Sequence, residues 1–318
     1  MIKPSAEPLR ILYVGARIVG RGCLQALLEA GANVVGLLYL DDLKAEITVA
    51  HCVFDDLIKD YGLHARSFTS LNDPDILAWA EDCRPDVGMV IGVSQLVGKG
   101  LLAVPGQGFI GMHPTLLPEG RGRAPIPWAL IKGLERTGVS LFWCETEADT
   151  GALLCQAEVP VYYEDTAAIL GARTDRVAAR LLVECLPLLA AGQPPRIAQD
   201  DSRATLWPRR RPEDGLIDWS LEKRAIYNWV RALTQPYPGA FTFFAGRKLF
   251  VWACRESEDR RMAQPGIVVD VLPHGVLVGC GAGAVLLTRV QWADGSEIPA
   301  GTAGLRPGDR LWGRHGAT

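Results

Sequence analysis

From LRILYVGA (residues 9–16) to Gly192, the chain alternates short apolar runs with amphipathic runs that close on glycine or proline. VVGLLYL, HARSF, PDVGMVIGV and GFIGMH read as strands, with GCLQALLEAG, VFDDLIKDYG, DILAWAEDC and PIPWALIKG as the intervening helices. A parallel strand pair needs a crossover that brings the chain back over the sheet, and a helix supplies it. The pattern therefore predicts an α/β unit, a Rossmann-like, mostly parallel sheet covered on both faces. VSLFWCE and ALLCQAEVPV read as a strand pair turning at EADTG. A long helix follows, with Asp165 or Thr166 as its N-cap and Gly192 as its stop.

The pattern then breaks. QDDSRATLWPRRRPEDG (199–215) is polar and rich in Arg and Pro, and reads as an ordered linker. A helix over Leu221–Leu233 comes next, then PYPGAFTFF, KLFVWAC, GIVVDVL, GVLVGC and AVLLTRV. Short strands at this spacing predict a small antiparallel, OB-like β-barrel. The expected domains are 1–205 and 206–318, a division that also suits a chain of 318 residues.

Composition narrows the function classes. A net charge of −3 argues against a surface built to grip a polyphosphate backbone, with Arg209–Arg210–Arg211 as the one basic run to watch. No apolar run reaches membrane-spanning length, and MIKPSAEPLR lacks the form of a signal peptide. The eight cysteines form no CxxC pair and sit mostly in apolar runs, which points to structural thiols, no metal site and a reducing cytoplasm. The glycines of VGARIVGRG (Gly15, Gly20, Gly22) miss the dinucleotide spacing and read as turn glycines. His51, His64, His274 and His315 lie among polar or turn residues and read as surface groups.

His113 stands apart. It ends an apolar strand, and in an open parallel sheet the C-terminal strand ends face the binding crevice. A histidine so placed serves either packing or catalysis. Asp149, in the EADTG turn, is a carboxylate able to orient the imidazole for general-base work on an amine. The two are expected to face one cleft, bonded directly or through one water. Arg121 and Arg123, in LLPEGRGRAP, could meet an anion in bidentate fashion or form a solvated basic loop.

HPTLLPEGRGRAPIPWALIKG followed by TGVSLFWCETEADTG resembles the signature of the formyltransferases that use 10-formyltetrahydrofolate. RRRPEDGLIDW and VRALTQPYPGAF resemble the same family's C-terminal part. Within the family, the second-domain runs look most like the domain acting on UDP-4-amino-4-deoxy-L-arabinose, with methionyl-tRNA formyltransferase the other similar branch. The resemblance implies that His113 assists deprotonation of the attacking amine and that Asp149 holds it. It implies that Gly92, Val93, Ser94, Gln95, Leu96 and Val97 border the folate pterin, together with Glu145 and Ala148 of the loop before Asp149. Arg121, Arg123 and Thr115 fall to the acceptor side, with Arg123 at the nucleotide phosphates.

One position departs from the family pattern. Gly111 stands where the family carries an asparagine whose amide donates to the oxyanion. The expectations are then a vacated space that holds water or admits a different acyl donor, a gain of activity on Gly111→Asn for a folate-dependent formyltransferase and a loss where the space serves another group, and Thr115, Ser94 and Gln95 as the nearest replacement donors. The leading function is formyl transfer from 10-formyltetrahydrofolate to a small amine, favoured as a nucleotide-linked amino sugar over tRNA. A non-catalytic binding homologue is the rival, and a homo-oligomer stays open.

Overall fold

A computed structural model describes residues 7–43, 50–259, 261 and 263–313. In chain order the elements are β1 (Arg10–Gly15), α1 (Ile18–Glu29), β2 (Asn33–Leu40), α2 (Asp55–Tyr61), β3 (Ala65–Phe68), α3 (Pro74–Asp82) and β4 (Val87–Ile91). Next come α4 (Lys99–Leu102), β5 (Phe109–His113), β6 (Arg121–Gly122), α5 (Pro125–Ile131), β7 (Arg136–Trp143), β8 (Leu153–Pro160), α6 (Ala167–Ala190) and β9 (Leu206–Trp207). The C-terminal part holds α7 (Lys223–Leu233), β10 (Ala240–Phe244), β11 (Arg247–Glu256), β12 (Val268–Leu272), β13 (Gly275–Gly279), β14 (Ala284–Trp292) and β15 (Glu297–Pro299).

The first sheet has the order β3-β2-β1-β4-β5-β7-β8. Its first five strands are parallel, while β7 and β8 run antiparallel as a hairpin on the β5 side. Alternate residues of each strand feed opposite faces. On one face Leu12, Val14, Leu38, Leu40 and Phe109 pack with Phe68, Ile76, Ala80, Val97 and Leu101. Strand β4 leaves room for this layer through Gly88, where a β-carbon would overlap the Phe109 ring. The second sheet is antiparallel, ordered β10-β11-β14-β13-β12, with β15 on β14. Its open edges are joined by the chain end: Trp312 bridges Phe243 of β10, and Arg310 bridges Ile267, next to β12. That closure gives the antiparallel sheet the barrel-like form expected of it.

Two compact units emerge. The first runs to Pro125 and adds Arg136–Pro160 and Ala172–Pro208, whereas Ile126–Glu135, Val161–Gly171 and the chain from Arg209 form the second. Leu206 and Trp207 pair as β9 with β6, so they belong to the first unit rather than to a segment beginning at 206. Within the second unit Arg231 is 7% exposed, and its guanidinium donates to Asn228 Oδ1 and to the carbonyls of Tyr162, Tyr163 and Asp165. Of the capping alternatives, Thr166 caps α6 through Oγ1, which accepts from Ile169 N, while Asp165 accepts from Tyr162 N.

Asp175, on the part of α6 within the first unit, lies near enough to Cys23 of α1 for its charge to raise that thiol's pKa. Burial alone raises the Asp175 carboxyl to about 6. A raised folded-state pKa favours folding while the carboxyl is protonated in both states, and this advantage is lost as pH climbs from about 4 through about 6. Asp175→Asn is therefore expected to stabilise the protein above pH 7 by up to about 3 kcal/mol, and to have almost no effect below pH 4. Urea denaturation at the two pH values checks this, and an equal effect at both would contradict the burial argument.

Candidate active site

Strand β5 delivers His113 to the C-terminal edge of the parallel strands, paired in register with Ser140 of β7. The histidine is 6% exposed. Its Nε2 lies 2.8 Å from the carbonyl oxygen of Gly120, an atom that only accepts, so Nε2 carries a proton. Nδ1 faces Asp149 Oδ1 at 3.6 Å. In neutral imidazole the remaining lone pair is then on Nδ1, and a proton taken there finds the carboxylate beside it. His113 and Asp149 thus face each other with no space for a water between them, just beyond hydrogen-bond length.

The loop after His113 is wound to make this possible. Ser140 Oγ donates to Thr115 O and accepts from Leu117 N, while Gln156 Nε2 donates to Leu117 O and Ser140 Oγ. Gly120 has φ of +75°, and a β-carbon there would meet Thr115 and the Trp207 ring at 2.9 Å. Both conformation and space require glycine at this turn. Two residues on, Gly122 N donates to Asp149 Oδ2 at 2.9 Å. Asp149 itself has φ of +62°, a left-handed conformation that aspartate tolerates better than most residues. Gln199 Nε2 donates to the Asp149 and Gly151 carbonyls, which fixes this turn from behind.

The structure separates the two arginines. Arg121 Nε and Nη2 donate to Gln199 Oε1, and Nη2 also pairs with Asp201 at 2.6 Å. Arg121 is committed to holding the loop rather than presented to an anion. Arg123 is exposed, and among the described residues its guanidinium has no partner. Only its backbone N–H is used, by Trp207 O. Thr115 is buried, its carbonyl is taken by Ser140, and its hydroxyl has no partner among the described residues.

The folate-side residues form the turn after β4. Gly92 has φ of +69°, Ser94 Oγ accepts from Arg17, and Val97 is buried in the core. Gln95 ties this turn to its neighbour, accepting from Leu71 N and donating to Thr69 O, so its amide is not free to act as a donor elsewhere. Leu96 is 58% exposed and Val93 half-buried, while Glu145 and Ala148 lie exposed in the β7–β8 loop. Of the other histidines, His64 and His274 are exposed, with His64 stacked on Trp79. His51 is half-buried in a bridge to Arg17 and 3.6 Å from Asp42, contrary to a surface placement, and His315 lies outside the described residues.

Gly111 overturns the expectation of vacated space. A β-carbon there would lie 2.8 Å from the Phe142 ring and 2.9 Å from Cys144 Sγ. Phe142 is its cross-strand partner, and Cys144 follows on the same face. The two side chains already fill the volume into which residue 111 would project. Burial, with the charges of Asp149 and Glu145, pushes the Cys144 thiol up to about 12, so it stays protonated. It packs both with the core layer that holds Val93 and Val97 and with Leu117, Phe142 and Leu153. Among the described residues no group of His, Cys, Asp or Glu could hold a metal ion, and no helix is long and apolar enough to cross a membrane.

The residues that hold His113 and Asp149 in place include Ser140, Gln156, Gln199 and Thr205, none of which sequence reasoning selected. Gln199 and Thr205 lie in the polar run, where only the apolar pair Leu206–Trp207 hints at an element. The crowding at Gly111 works against the gain of activity expected of Gly111→Asn in a folate-dependent formyltransferase. The substitution should cost about 1–3 kcal/mol of stability through overpacking and should not raise turnover. In the double variant Gly111→Asn/Cys144→Ala the loss should be smaller than the sum of the single losses. Denaturation of the four proteins checks this, and strict additivity would show that the sulphur does not limit the space.

Two family models match the chain: "Formyl transferase" over residues 44–186 and "Formyl transferase, C-terminal domain" over 210–303. HypX from Aquifex aeolicus, solved in complex with tetrahydrofolic acid, superposes with a TM-score of 0.67 at 17% identity, covering 95% of this chain and 49% of HypX. This chain therefore spans about half the length of HypX. An N-formyltransferase from Helicobacter canadensis, in complex with folinic acid and dTDP-3-aminofucose, gives 0.66 at 11% identity, covering 88% of this chain and 98% of that one. Glycinamide ribonucleotide transformylase 1 from Symbiobacterium toebii gives 0.52 at 22% identity, covering 61% and 95%. With both family models matched in order and the fold shared along most of its length, the chain belongs to the formyl transferase family.

Proposed function

We propose that the protein transfers a formyl unit from 10-formyltetrahydrofolate to the amine of a small, nucleotide-linked amino sugar. The observation that carries this reading is the state of His113: Nε2 is held by the Gly120 carbonyl, and Nδ1 is left as the basic nitrogen against Asp149. An amine attacking a formyl carbon must shed a proton. Nδ1 takes it, and Asp149 stabilises the imidazolium that forms. The exposed Leu96 and half-buried Val93 offer an apolar edge for a pterin ring, and the Arg123 guanidinium, without a partner among the described residues, suits a diphosphate. Folate and dTDP-sugar in the complexes of similar proteins support the same pair of substrates.

A tRNA acceptor is less well supported. Net charge is −3, and the central arginine of the 209–211 run lies over the Trp128 and Trp229 rings while donating to Asp214 O. Residue 111 supplies no side-chain donor to an oxyanion, and removal of one such donor elsewhere costs about 10²–10³ in rate.

The test supplies 10-formyltetrahydrofolate with dTDP- and UDP-linked amino sugars, glycinamide ribonucleotide and methionyl-tRNA. It follows tetrahydrofolate release and the gain of one CO by the acceptor. A nucleotide-linked amino sugar should be formylated. His113→Ala should lower turnover at least about 10²-fold, and Arg123→Ala should raise the acceptor KM with little change in kcat. Failure of the parent to bind reduced folate, or formylation of tRNA alone, would overturn the reading.

A further inference from the structure

The segment from Ile197 to Trp207 is bonded to both loops that flank the His113 ring, the one carrying Gly120 and the one carrying Asp149. Ile197 exchanges backbone hydrogen bonds with Leu153 at the start of β8. Gln199 then spans two loops. Its Nε2 donates to Asp149 O at 2.9 Å and Gly151 O at 2.7 Å, while Oε1 accepts from Arg121 Nε and Nη2. A flipped amide would set NH₂ against a guanidinium and an oxygen against two carbonyls, so this orientation is the one the partners allow. Thr205 brackets Gly120 on both sides. Its N–H donates to Pro118 O, its carbonyl accepts from Arg121 N, and its Oγ1 accepts from Gly120 N at 2.8 Å. Leu206 and Trp207 complete the segment by pairing with Arg121 and Gly122.

These contacts converge on one ring. Gly120 supplies the carbonyl at His113 Nε2, and Asp149 supplies the carboxylate at Nδ1. Thr205 fixes the first group and Gln199 the second. Neither touches the imidazole. A side chain with both donors and an acceptor is needed at 199, because two carbonyls and a guanidinium meet there.

We propose that residues 197–207 form a strap that sets the tautomer and orientation of His113, with Thr205 and Gln199 as positioning residues for its two ring nitrogens. The strap serves the proton transfer of the proposed formyl transfer and rests on that reading for its purpose. Its effect on the ring is a property of the free protein. Release of Thr205 frees the Gly120 carbonyl, Nε2 loses its fixed acceptor, and the proton redistributes to Nδ1, where the basic site should be. Release of Gln199 lets the left-handed turn at Asp149 relax and carries the carboxylate away from Nδ1.

The experiment records the ring ¹⁵N shifts of His113 in the ligand-free protein and the pH profile of kcat. The variants are Thr205→Val, which removes the hydroxyl at equal size, and Gln199→Glu, which keeps the acceptor for Arg121 but loses both donors. Parent shifts should show Nε2 protonated at neutral pH. Thr205→Val should raise the Nδ1–H fraction, and both variants should shift the pH profile and lower kcat by about 10²-fold with acceptor KM unchanged. Thr205→Ser should restore the parent shifts and rate. Arg180→Ala, which cuts only the exposed Arg180–Glu184 pair on α6, outside the strap, should change nothing. Should Gln199→Glu fail to fold, Arg121→Lys releases the same amide from outside the strap and is read by the same shifts. Folded Thr205 and Gln199 variants that keep the parent ring shifts would overturn the proposal. A parent with no formyl-transfer activity removes the proposed function, while the shifts still decide whether the strap positions the ring.

Discussion

The hydrogen bond from His113 Nε2 to the Gly120 carbonyl is the contact on which the site depends, because it decides which ring nitrogen is left basic. Histidine offers two chemically different nitrogens, and a fixed acceptor at one assigns the lone pair to the other. Around this bond lies a group of otherwise unremarked residues. Ser140 and Gln156 hold the chain just after the histidine, and the β6–β9 pair holds the chain just after the carbonyl. These bonds are largely buried, where an unmet partner is costly, so the loop has few ways to shift without losing several at once.

The floor of the site is apolar in an unusual place. Phe142 and the protonated Cys144 close the space above Gly111, and Cys144 packs both with the layer under residues 93–97 and with the layer around Leu117. The polar work is thereby concentrated at one end of the strand, on His113 and the two acceptors that flank it. The only arginine of the loop left without a partner among the described residues is Arg123, on the exposed side.

Much of the architecture was legible because burial on both faces of a parallel sheet leaves near-continuous apolar runs, and glycine and proline punctuate them. The placement of His113 at a strand end and of Asp149 in the turn between two paired strands was legible from residue type and from the apolar runs around them. Arg121 and Arg123 were not separable in sequence, since both are arginines in one loop. Gly122 between them turns at φ of +107°, and the Arg121 guanidinium meets Gln199 while that of Arg123 meets none of the described residues. Gln199 and Thr205 were hidden because side-chain bonding to a distant backbone leaves no periodicity, and a polar run reads as a connector. The filling of the Gly111 space was hidden for a related reason. It depends on the register between β5 and β7, which pairs Gly111 with Phe142 and is fixed by the hairpin and the core, not by local pattern.

That register has an evolutionary consequence. Residues 111, 142 and 144 share one small volume, so the substitutions acceptable at any of them depend on what the other two already are. A chain carrying Gly, Phe and Cys at these positions is not expected to accept a polar side chain at 111 by a single neutral step. It must first pass through a smaller residue at 142 or 144, and that intermediate leaves a cavity in the sheet. The glycine is thus held less by any benefit of its own than by neighbours that fill the space beside it, and substitutions at the three positions should be strongly coupled.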